Sequence, residues 1–270
     1  AVFCWDLPRD RLEERAPHLR WIHVHGAGIN HWMPLEALPR RITLTNSRGV
    51  HGERATEYVM MAVLALNNRL PEMVTHQRAG RWQQCFSTTL AGKTLLIIGV
   101  GHIGSAVARW AKGVGLHVIG IRRSGKPRRW VDEMYQTDEL VFVLPRANFV
   151  LISAPHTRET DQLIGARELD KMKSGTGLIN YSRAGLVDYE ALRARLDTGR
   201  LSAVLDVFSP EPLPTESPLW QTKNLLITPH CSSDDQAYYT PRTLDLVFDN
   251  VQRFIEGKPL RNCVSRRLQY

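Results

Sequence analysis

Three segments of the sequence carry polar side chains whose types suit acid–base chemistry at a carbonyl group. They are residues 179–185 (INYSRAG), 205–212 (LDVFSPEP) and 227–230 (ITPH). An arginine offers a planar fork of N–H donors that holds carboxylate and carbonyl oxygens in a fixed orientation. A histidine beside a carboxylate keeps a proton donor available near neutral pH, because the negative charge favours the imidazolium. We therefore predict a site in which Arg183 binds carboxylate and carbonyl oxygens, His230 donates a proton, and Glu211 bonds the other nitrogen of His230.

A glycine-rich segment has the pattern of a nucleotide-binding loop. An apolar run at 94–98 (TLLII) leads into GVGHIG, which opens a helical pattern and matches GxGxxG. The first glycine of this motif allows a tight turn, the second lets the backbone approach a pyrophosphate, and the third allows close packing of helix on strand. The helix N-terminus adds N–H donors for phosphates. We thus expect a dinucleotide site rather than an ordinary glycine turn. Its predicted cofactor-binding residues are Gly99, Gly101, His102, Ile103 and Gly104.

The end of the next predicted strand bears on the choice between NAD and NADP. An NAD site usually carries an Asp or Glu about 20 residues further on, bonded to the ribose 2′-hydroxyl. Here the run 116–121 ends in Arg122, Arg123 and Ser124, with no acid. Two guanidinium groups and a hydroxyl can hold a 2′-phosphate by charge-assisted hydrogen bonds. The alternative is a pair of solvated arginines, but the missing acid favours NADP, with NADPH preferred over NADH.

These segments lie where a parallel α/β fold would place them. Apolar runs of strand length alternate with helical patterns, as in βαβ units whose strands are covered on both faces. The predicted strands are 94–98, 116–121, 149–153, 177–181, 202–205 and 225–228, and intervening helices are 103–112 and 188–196. Every polar segment follows a strand, and open α/β sheets bind ligands at that edge. The predicted fold class is α/β, with a doubly wound Rossmann-type nucleotide domain.

The two ends of the chain predict a second, smaller lobe. Strand-like runs occur at 2–5, 21–25 and 42–45, and helical patterns at 53–70 and 243–255. We expect residues 1–70 and 234–270 to form a substrate-binding lobe and residues 71–233 to form the dinucleotide-binding domain. The active site is expected between the two lobes, since ligand sites favour domain boundaries.

The composition argues against several other classes of protein. Of the 270 residues 43% are hydrophobic, and the net charge is +8. The basic residues are mostly dispersed, which favours a protein that attracts anionic ligands over a nucleic-acid binder. No apolar stretch approaches the roughly 18 residues of a membrane span. The four cysteines form neither CxxC nor a Cys/His ligand spacing, so no metal is predicted, and reduced thiols in the cytoplasm are expected.

The glycine motif and the three polar segments, in this order, resemble the D-isomer-specific 2-hydroxyacid dehydrogenase family. The last residues, 257–270 (GKPLRNCVSRRLQY), are similar to the end of its glyoxylate/hydroxypyruvate reductase branch. The resemblance runs from about Trp21 to the end and implies a flavodoxin-like substrate lobe and a homodimer. Asn30 stands where the family usually has Asp, and Ala184 is inserted before Gly185. By this resemblance we expect an opening βαβ portion of the substrate lobe to be absent, either because the numbering starts late or because those residues are missing.

The resemblance also implies roles for individual residues. Arg183, Glu211 and His230 correspond to the family's catalytic residues. Backbone groups of Ala27 and Gly28 would join Arg183 in binding the substrate carboxylate. The residues that would line the nicotinamide and ribose are Ala154, Tyr181 and Asp206.

The predicted function is the NADPH-dependent reduction of a small 2-oxo acid to a D-2-hydroxy acid. Glyoxylate and hydroxypyruvate are the first candidate substrates, with larger 2-oxo acids close behind. The alternative is an NAD(P)H-sensing, corepressor-like binding protein of the same fold. Turnover distinguishes the two, because a sensor needs only to bind the dinucleotide.

Overall fold

The structure, a computed structural model, describes all residues from Ala1 to Tyr270. The chain divides into two compact units. The smaller unit is formed by Ala1–His51 and Asp234–Tyr270, and the larger unit is Gly52–Ser233. None of the helices combines the length and the hydropathy that a membrane-spanning segment requires.

The smaller unit is built on a three-stranded parallel sheet. Its elements are β1 (Val2–Cys4), α1 (Leu12–Arg15), β2 (Trp21–Val24), β3 (Thr43–Asn46) and α8 (Tyr239–Ile255). The three strands lie in chain order, and the core beneath them includes Ile22, Val24 and the fully buried Trp32. Helix α8 begins four residues before the predicted 243–255 pattern. The carboxylate of Asp235 accepts the amides of Ala237 and Tyr238, the two residues that precede the helix.

The larger unit contains a seven-stranded sheet that is parallel throughout. Its strands are β4 (Thr94–Ile98), β5 (His117–Ile121), β6 (Glu133–Tyr135), β7 (Phe149–Ile152), β8 (Thr176–Asn180), β9 (Leu201–Leu205) and β10 (Leu225–Ile227). Their order is β10-β9-β8-β7-β4-β5-β6. From β4 the chain adds β5 and β6 on one side of the sheet and then β7 to β10 on the other side. The boundary between β4 and β7 is therefore the topological switch point, where sheets of this kind bind ligands. The predicted α/β class with a Rossmann-type domain is confirmed.

Six helices belong to the larger unit. They are α2 (Gly52–Asn67), α3 (Leu70–Arg78), α4 (His102–Gly113), α5 (Leu140–Val143), α6 (Ala166–Lys171) and α7 (Tyr189–Asp197). The buried residues form two clusters, one on each face of the sheet. Coverage of both faces explains why strands such as β4 read as continuous apolar runs.

Helix α2 groups with the nucleotide-binding sheet, although the sequence analysis assigned residues up to 70 to the other lobe. Tyr58, Val59 and Val63 of this helix are buried against the sheet. Near its end, Leu66 lies on Gly177 of β8, where an added Cβ would sit 2.9 Å from the leucine Cδ1. The missing side chain of Gly177 therefore allows the helix to lie directly on the strand.

Candidate active site

The loop between β4 and α4 can be formed only with glycine at its first motif position. Gly99 has φ +98°, a left-handed conformation that L side chains rarely adopt. A Cβ at Gly99 would also collide with the backbone of Ser153 and Ala154 beyond β7. The Ser153 hydroxyl donates to the carbonyl of Gly99 over 2.5 Å. The first glycine thus lets β4 turn sharply at the switch point of the sheet.

The other two glycines of the motif differ in what surrounds them. Gly101 caps α4, and no atom lies within 4 Å of the position its Cβ would take. The Cβ of a residue replacing Gly104 would sit 3.0 Å from Ser153 Oγ and 3.2 Å from Ile97 Cγ2, because the helix lies close to β4. The space over Gly101, next to the N–H groups that begin α4, fits a dinucleotide pyrophosphate.

His102 and Ile103 begin α4 beside this space. His102 is exposed, and its ring packs against Gly52, where a Cβ would approach His102 Cε1 to 2.7 Å. Ile103 is half-buried at the edge of the core. His102 therefore lies at the exposed start of α4, beside the glycine loop.

The predicted 2′-phosphate residues form a turn at the end of β5, the neighbour of β4. The Arg122 amide donates to the carbonyl of Tyr135, and Gly125, with φ +60°, donates to Arg122 to close the turn. Arg123 and Ser124 are exposed and Arg122 is half-buried. The strand pairing places this turn on the same edge of the sheet as the glycine loop.

Arg183 follows β8 in a loop that one buried amide side chain organises. Asn180 is fully buried; its Nδ2 donates to the carbonyl of Arg183 and to the Tyr189 hydroxyl, both at 3.0 Å. Its Oδ1 accepts the amide of Ser182. Arg183 Nη1 donates to the carbonyl of Ser182 at 2.6 Å. Burial lowers the pKa of Arg183 while the charge of Glu211 opposes that effect, and an arginine stays cationic in either case.

His230 and Glu211 form the acid–base pair that the sequence predicts. His230 Nδ1 donates to Glu211 Oε2 at 2.6 Å. The other oxygen of Glu211 accepts the amide of Phe208 at 2.7 Å, so the carboxylate is oriented by two bonds. Nδ1 is thereby occupied, which leaves Nε2 of His230 to face a substrate. The backbone of His230 is held in the left-handed region at φ +51°, a strained conformation often found at functional sites.

Asp206, which the resemblance assigns to the nicotinamide and ribose, has a fully buried side chain. Its two oxygens accept the amides of Cys231 and Ser232 at 3.1 and 3.0 Å, and the Thr228 hydroxyl as well. Tyr58 bonds Thr228 in turn, at 2.9 Å. Asp206 thus supplies acceptors for the backbone amides that follow His230 and holds that loop in place.

Two further predicted cofactor residues lie beneath the glycine loop. The backbone of Ala154 is the surface on which Gly99 rests. Tyr181 is buried against Tyr58, with ring centroids 6.4 Å apart, and burial raises the pKa of its hydroxyl above the usual value. Its side chain thus packs into the core of the larger unit rather than lying open at the surface.

Hydrogen bonds from Asn46 and Ser47 support the predicted carboxylate-binding loop of the smaller unit. Asn46, almost completely buried, donates from Nδ2 to the carbonyl of Ala27 at 2.7 Å, and the amide of Ser47 donates to Gly26. The amides of Ala27 and Gly28 donate to no acceptor within the protein. Two adjacent unpaired amides on a fixed turn can bind an anionic oxygen.

Sequence reasoning missed three residues that hold these loops: Asn46, Asn180 and Tyr189. Each is polar and buried or half-buried next to a predicted site residue. A buried polar side chain directly after an apolar strand, such as Asn180, is the signal that could have identified them.

Comparison with known proteins agrees with this geometry. The family model described as D-isomer specific 2-hydroxyacid dehydrogenase, NAD binding domain, matches residues 60–232. A glyoxylate reductase of Korarchaeum cryptofilum is 32% identical over 265 residues, which cover 94% of this chain and 79% of the relative.

Two solved structures with 2-hydroxyacid dehydrogenase or glyoxylate/hydroxypyruvate reductase names also align with nearly the whole chain. A D-isomer specific 2-hydroxyacid dehydrogenase of Xanthobacter autotrophicus Py2, in complex with NADPH and MES, aligns with a TM-score of 0.89 at 31% identity and covers 99% of this chain and 84% of that one. An NADPH-dependent glyoxylate/hydroxypyruvate reductase of Sinorhizobium meliloti, in complex with NADP and sulfate, aligns with a TM-score of 0.87 at 29% identity, covering 99% and 85%. The motif-based assignment is thus confirmed: the chain belongs to the D-isomer-specific 2-hydroxyacid dehydrogenase family of NAD(P)-dependent oxidoreductases.

Proposed function

We propose that the protein reduces a small 2-oxo acid to the D-2-hydroxy acid with NADPH, and that glyoxylate and hydroxypyruvate are its substrates. The observation that carries this proposal is the 2.6 Å bond between His230 and Glu211, beside the cation of Arg183. A keto carbon and a carboxylate need a proton donor and a guanidinium fork, and this loop set contains both.

Each residue has one task in the reaction. Gly101 and the amides that begin α4 would hold NADPH, which would supply a hydride for the keto carbon. Arg183 binds the carboxylate and the carbonyl oxygen and polarises the carbonyl bond. His230 donates its Nε2 proton to the oxygen as charge develops there, which is worth about 10²–10⁴ in rate. Glu211 keeps the imidazole oriented and its proton available, while Asp206 keeps the loop in place.

A carboxylate of the substrate also binds the amides of Ala27 and Gly28. These amides are unpaired and lie on a turn fixed by Asn46. In this proposal the smaller unit is the substrate-binding domain and the larger unit is the dinucleotide-binding domain.

The NADPH preference rests on the turn after β5. Arg122, Arg123 and Ser124 offer two cations and a hydroxyl where an NAD site has an acid. Two structural relatives were solved with NADPH or NADP bound, which supports the same preference. Replacement Arg122→Asp should weaken NADPH binding and improve the use of NADH. Equal kcat/KM for both cofactors in the wild type would contradict the proposal.

Substrate identity is tested with a panel of 2-oxo acids. Purified protein is assayed with NADPH and glyoxylate, hydroxypyruvate, pyruvate and larger 2-oxo acids, and the hydroxy acid product is resolved on a chiral column. The proposal predicts the highest kcat/KM for glyoxylate and hydroxypyruvate, and the D enantiomer wherever the product is chiral. Tight NADPH binding without turnover of any substrate would instead support the sensing, corepressor-like alternative.

The protein acts as a homodimer in the cytoplasm in this proposal. Two aromatic side chains of the larger unit, Trp82 and Phe86, are 96% and 78% exposed, and a second copy would cover them. Light scattering tests the dimer directly, and Trp82→Glu should shift it towards monomer. A wild-type protein that is monomeric at assay concentrations would remove this part of the proposal.

A further inference from the structure

Helix α3 and the loop after it bring three metal-ligating side chains together, away from the catalytic residues. Glu72 and His76 are four residues apart on α3 and therefore lie on one face of the helix. Cys85 comes from the segment that follows, which has no regular secondary structure. One ligand atom from each of the three side chains lies within 4.8 Å of the other two.

The histidine of this cluster turns one ring nitrogen towards the carboxylate. His76 Nε2 lies 3.8 Å from Glu72 Oε1, too far for a strong hydrogen bond. The other ring nitrogen, Nδ1, is buried and has no hydrogen-bond partner. Neither nitrogen therefore makes a strong hydrogen bond within the protein, and Nε2 is placed to bind a ligand together with Glu72.

The other two members also have capacity for a ligand. The Cys85 thiol makes a long contact, 3.9 Å to the carbonyl of Gln83, and also faces the carboxylate of Glu72. Glu72 accepts two bonds from Arg69, at 2.9 and 2.8 Å. An ionised carboxylate accepts about four hydrogen bonds, so lone pairs remain on Glu72 when Arg69 is bound.

We propose that Glu72, His76 and Cys85 bind a zinc ion, with water as the fourth ligand. Sulfur, imidazole nitrogen and a single carboxylate oxygen suit zinc, whereas magnesium and calcium require oxygen ligands. Tetrahedral zinc with bonds of about 2.0–2.3 Å needs ligand atoms roughly 3.5 Å apart. The three side chains are half-buried, and their ligand atoms already lie within 4.8 Å of one another. On binding, the thiol loses its proton to solvent as the sulfur–zinc bond forms.

Sequence spacing alone does not indicate this site. The pair Glu72 and His76 has helical ligand spacing, but Cys85 joins it only because the chain turns back after α3. The helix itself is anchored, since Thr75 Oγ1 accepts the amide of Asn224 at 2.8 Å. Bound zinc would therefore fix the segment that carries Trp82 and Phe86 to a rigid part of the larger unit.

Cobalt titration tests the site, because Co²⁺ replaces zinc and is coloured. Metal-free full-length protein is titrated with Co²⁺ and then with Zn²⁺. The proposal predicts a sulfur-to-cobalt charge-transfer band with visible bands of tetrahedral cobalt, which zinc abolishes. Cys85→Ser and His76→Gln should each weaken Zn²⁺ binding by at least about 100-fold, since first-sphere ligands matter more than their outer partners.

Matched controls separate this site from other thiols and from misfolding. Cys263→Ser removes an exposed cysteine of the smaller unit and should leave metal binding unchanged. Circular dichroism and NADPH binding confirm that each variant is folded. In the wild type, Zn²⁺ should also protect Cys85 from alkylation, as measured by mass spectrometry, which requires no variant. Binding that persists in both variants, or alkylation of Cys85 unaffected by zinc, would overturn the proposal.

Discussion

The replacement Gly101→Ala should separate cofactor binding from stability. Gly101 has φ −91°, outside the left-handed region that favours glycine, and its Cβ would meet no protein atom within 4 Å. Gly→Ala changes at compatible positions stabilise proteins by about 0.4–1 kcal/mol, because the unfolded chain loses freedom. The same Cβ would fill the space assigned to the pyrophosphate. We expect unchanged or slightly higher stability together with at least about tenfold weaker NADPH binding, or about 1.4 kcal/mol.

The assay pairs chemical denaturation with NADPH titration by fluorescence. Gly104→Ala is the matched control, since its Cβ would press against the Gly99 carbonyl, Ser153 and Ile97. Overpacking of this kind typically costs about 1–3 kcal/mol of stability. The two variants should therefore differ in the sign of their stability change. Full NADPH affinity in a folded Gly101→Ala protein would show that the dinucleotide does not cross this loop.

Three further predictions concern the catalytic loops and the smaller unit. Asp206→Asn should lower kcat by about 10²-fold with little effect on NADPH binding, because the single side-chain oxygen of asparagine cannot replace the two oxygens that accept the Cys231 and Ser232 amides. Equal losses of kcat and of NADPH affinity would refute a positioning role. Arg183→Lys should reduce kcat/KM despite the retained charge, since an ammonium lacks the planar fork, and a wild-type value would remove Arg183 from substrate binding. His23 is buried, and burial lowers its pKa to about 4 from a usual 6.5. Between these two pKa values the unfolded chain binds a proton that the folded chain does not. The free energy of unfolding should therefore fall by up to about 3 kcal/mol as the pH drops from 6.5 to 4. Urea denaturation at several pH values measures this dependence, which His23→Gln should lessen.

The sequence predicted those helices and strands whose hydrophobic pattern directly reflects which of their residues are buried. Strands such as β4 are covered on both faces, so they appear as uninterrupted apolar runs. Strand β6 was missed because it lies at the edge of the sheet and its residues, Glu133–Tyr135, are only half-buried. The placement of α2 depends on the contact of Leu66 with Gly177, which is distant in sequence and leaves no periodic signal.

The same distinction applies to the site. Arg183, Glu211 and His230 were predicted because each follows a strand and has a side chain with evident chemistry. The bonds of Asp206 could not be predicted, because its partners, the amides of Cys231 and Ser232, are backbone groups about 25 residues away. Backbone hydrogen bonds between distant loops have no sequence signature. For that reason candidate reacting residues could be predicted from the sequence, whereas the residues that position them required the structure.

The central claim is that His230 protonates the carbonyl of a 2-oxo acid during reduction by NADPH. The most direct test measures kcat for glyoxylate at saturating NADPH, and the NADPH dissociation constant, for the wild type and His230→Ala. The proposed mechanism predicts that kcat falls by at least about 10²-fold while NADPH affinity stays within about threefold, because imidazole acts on the carbonyl and not on the dinucleotide. Wild-type turnover in folded His230→Ala, or loss of turnover that follows loss of NADPH binding, would contradict it.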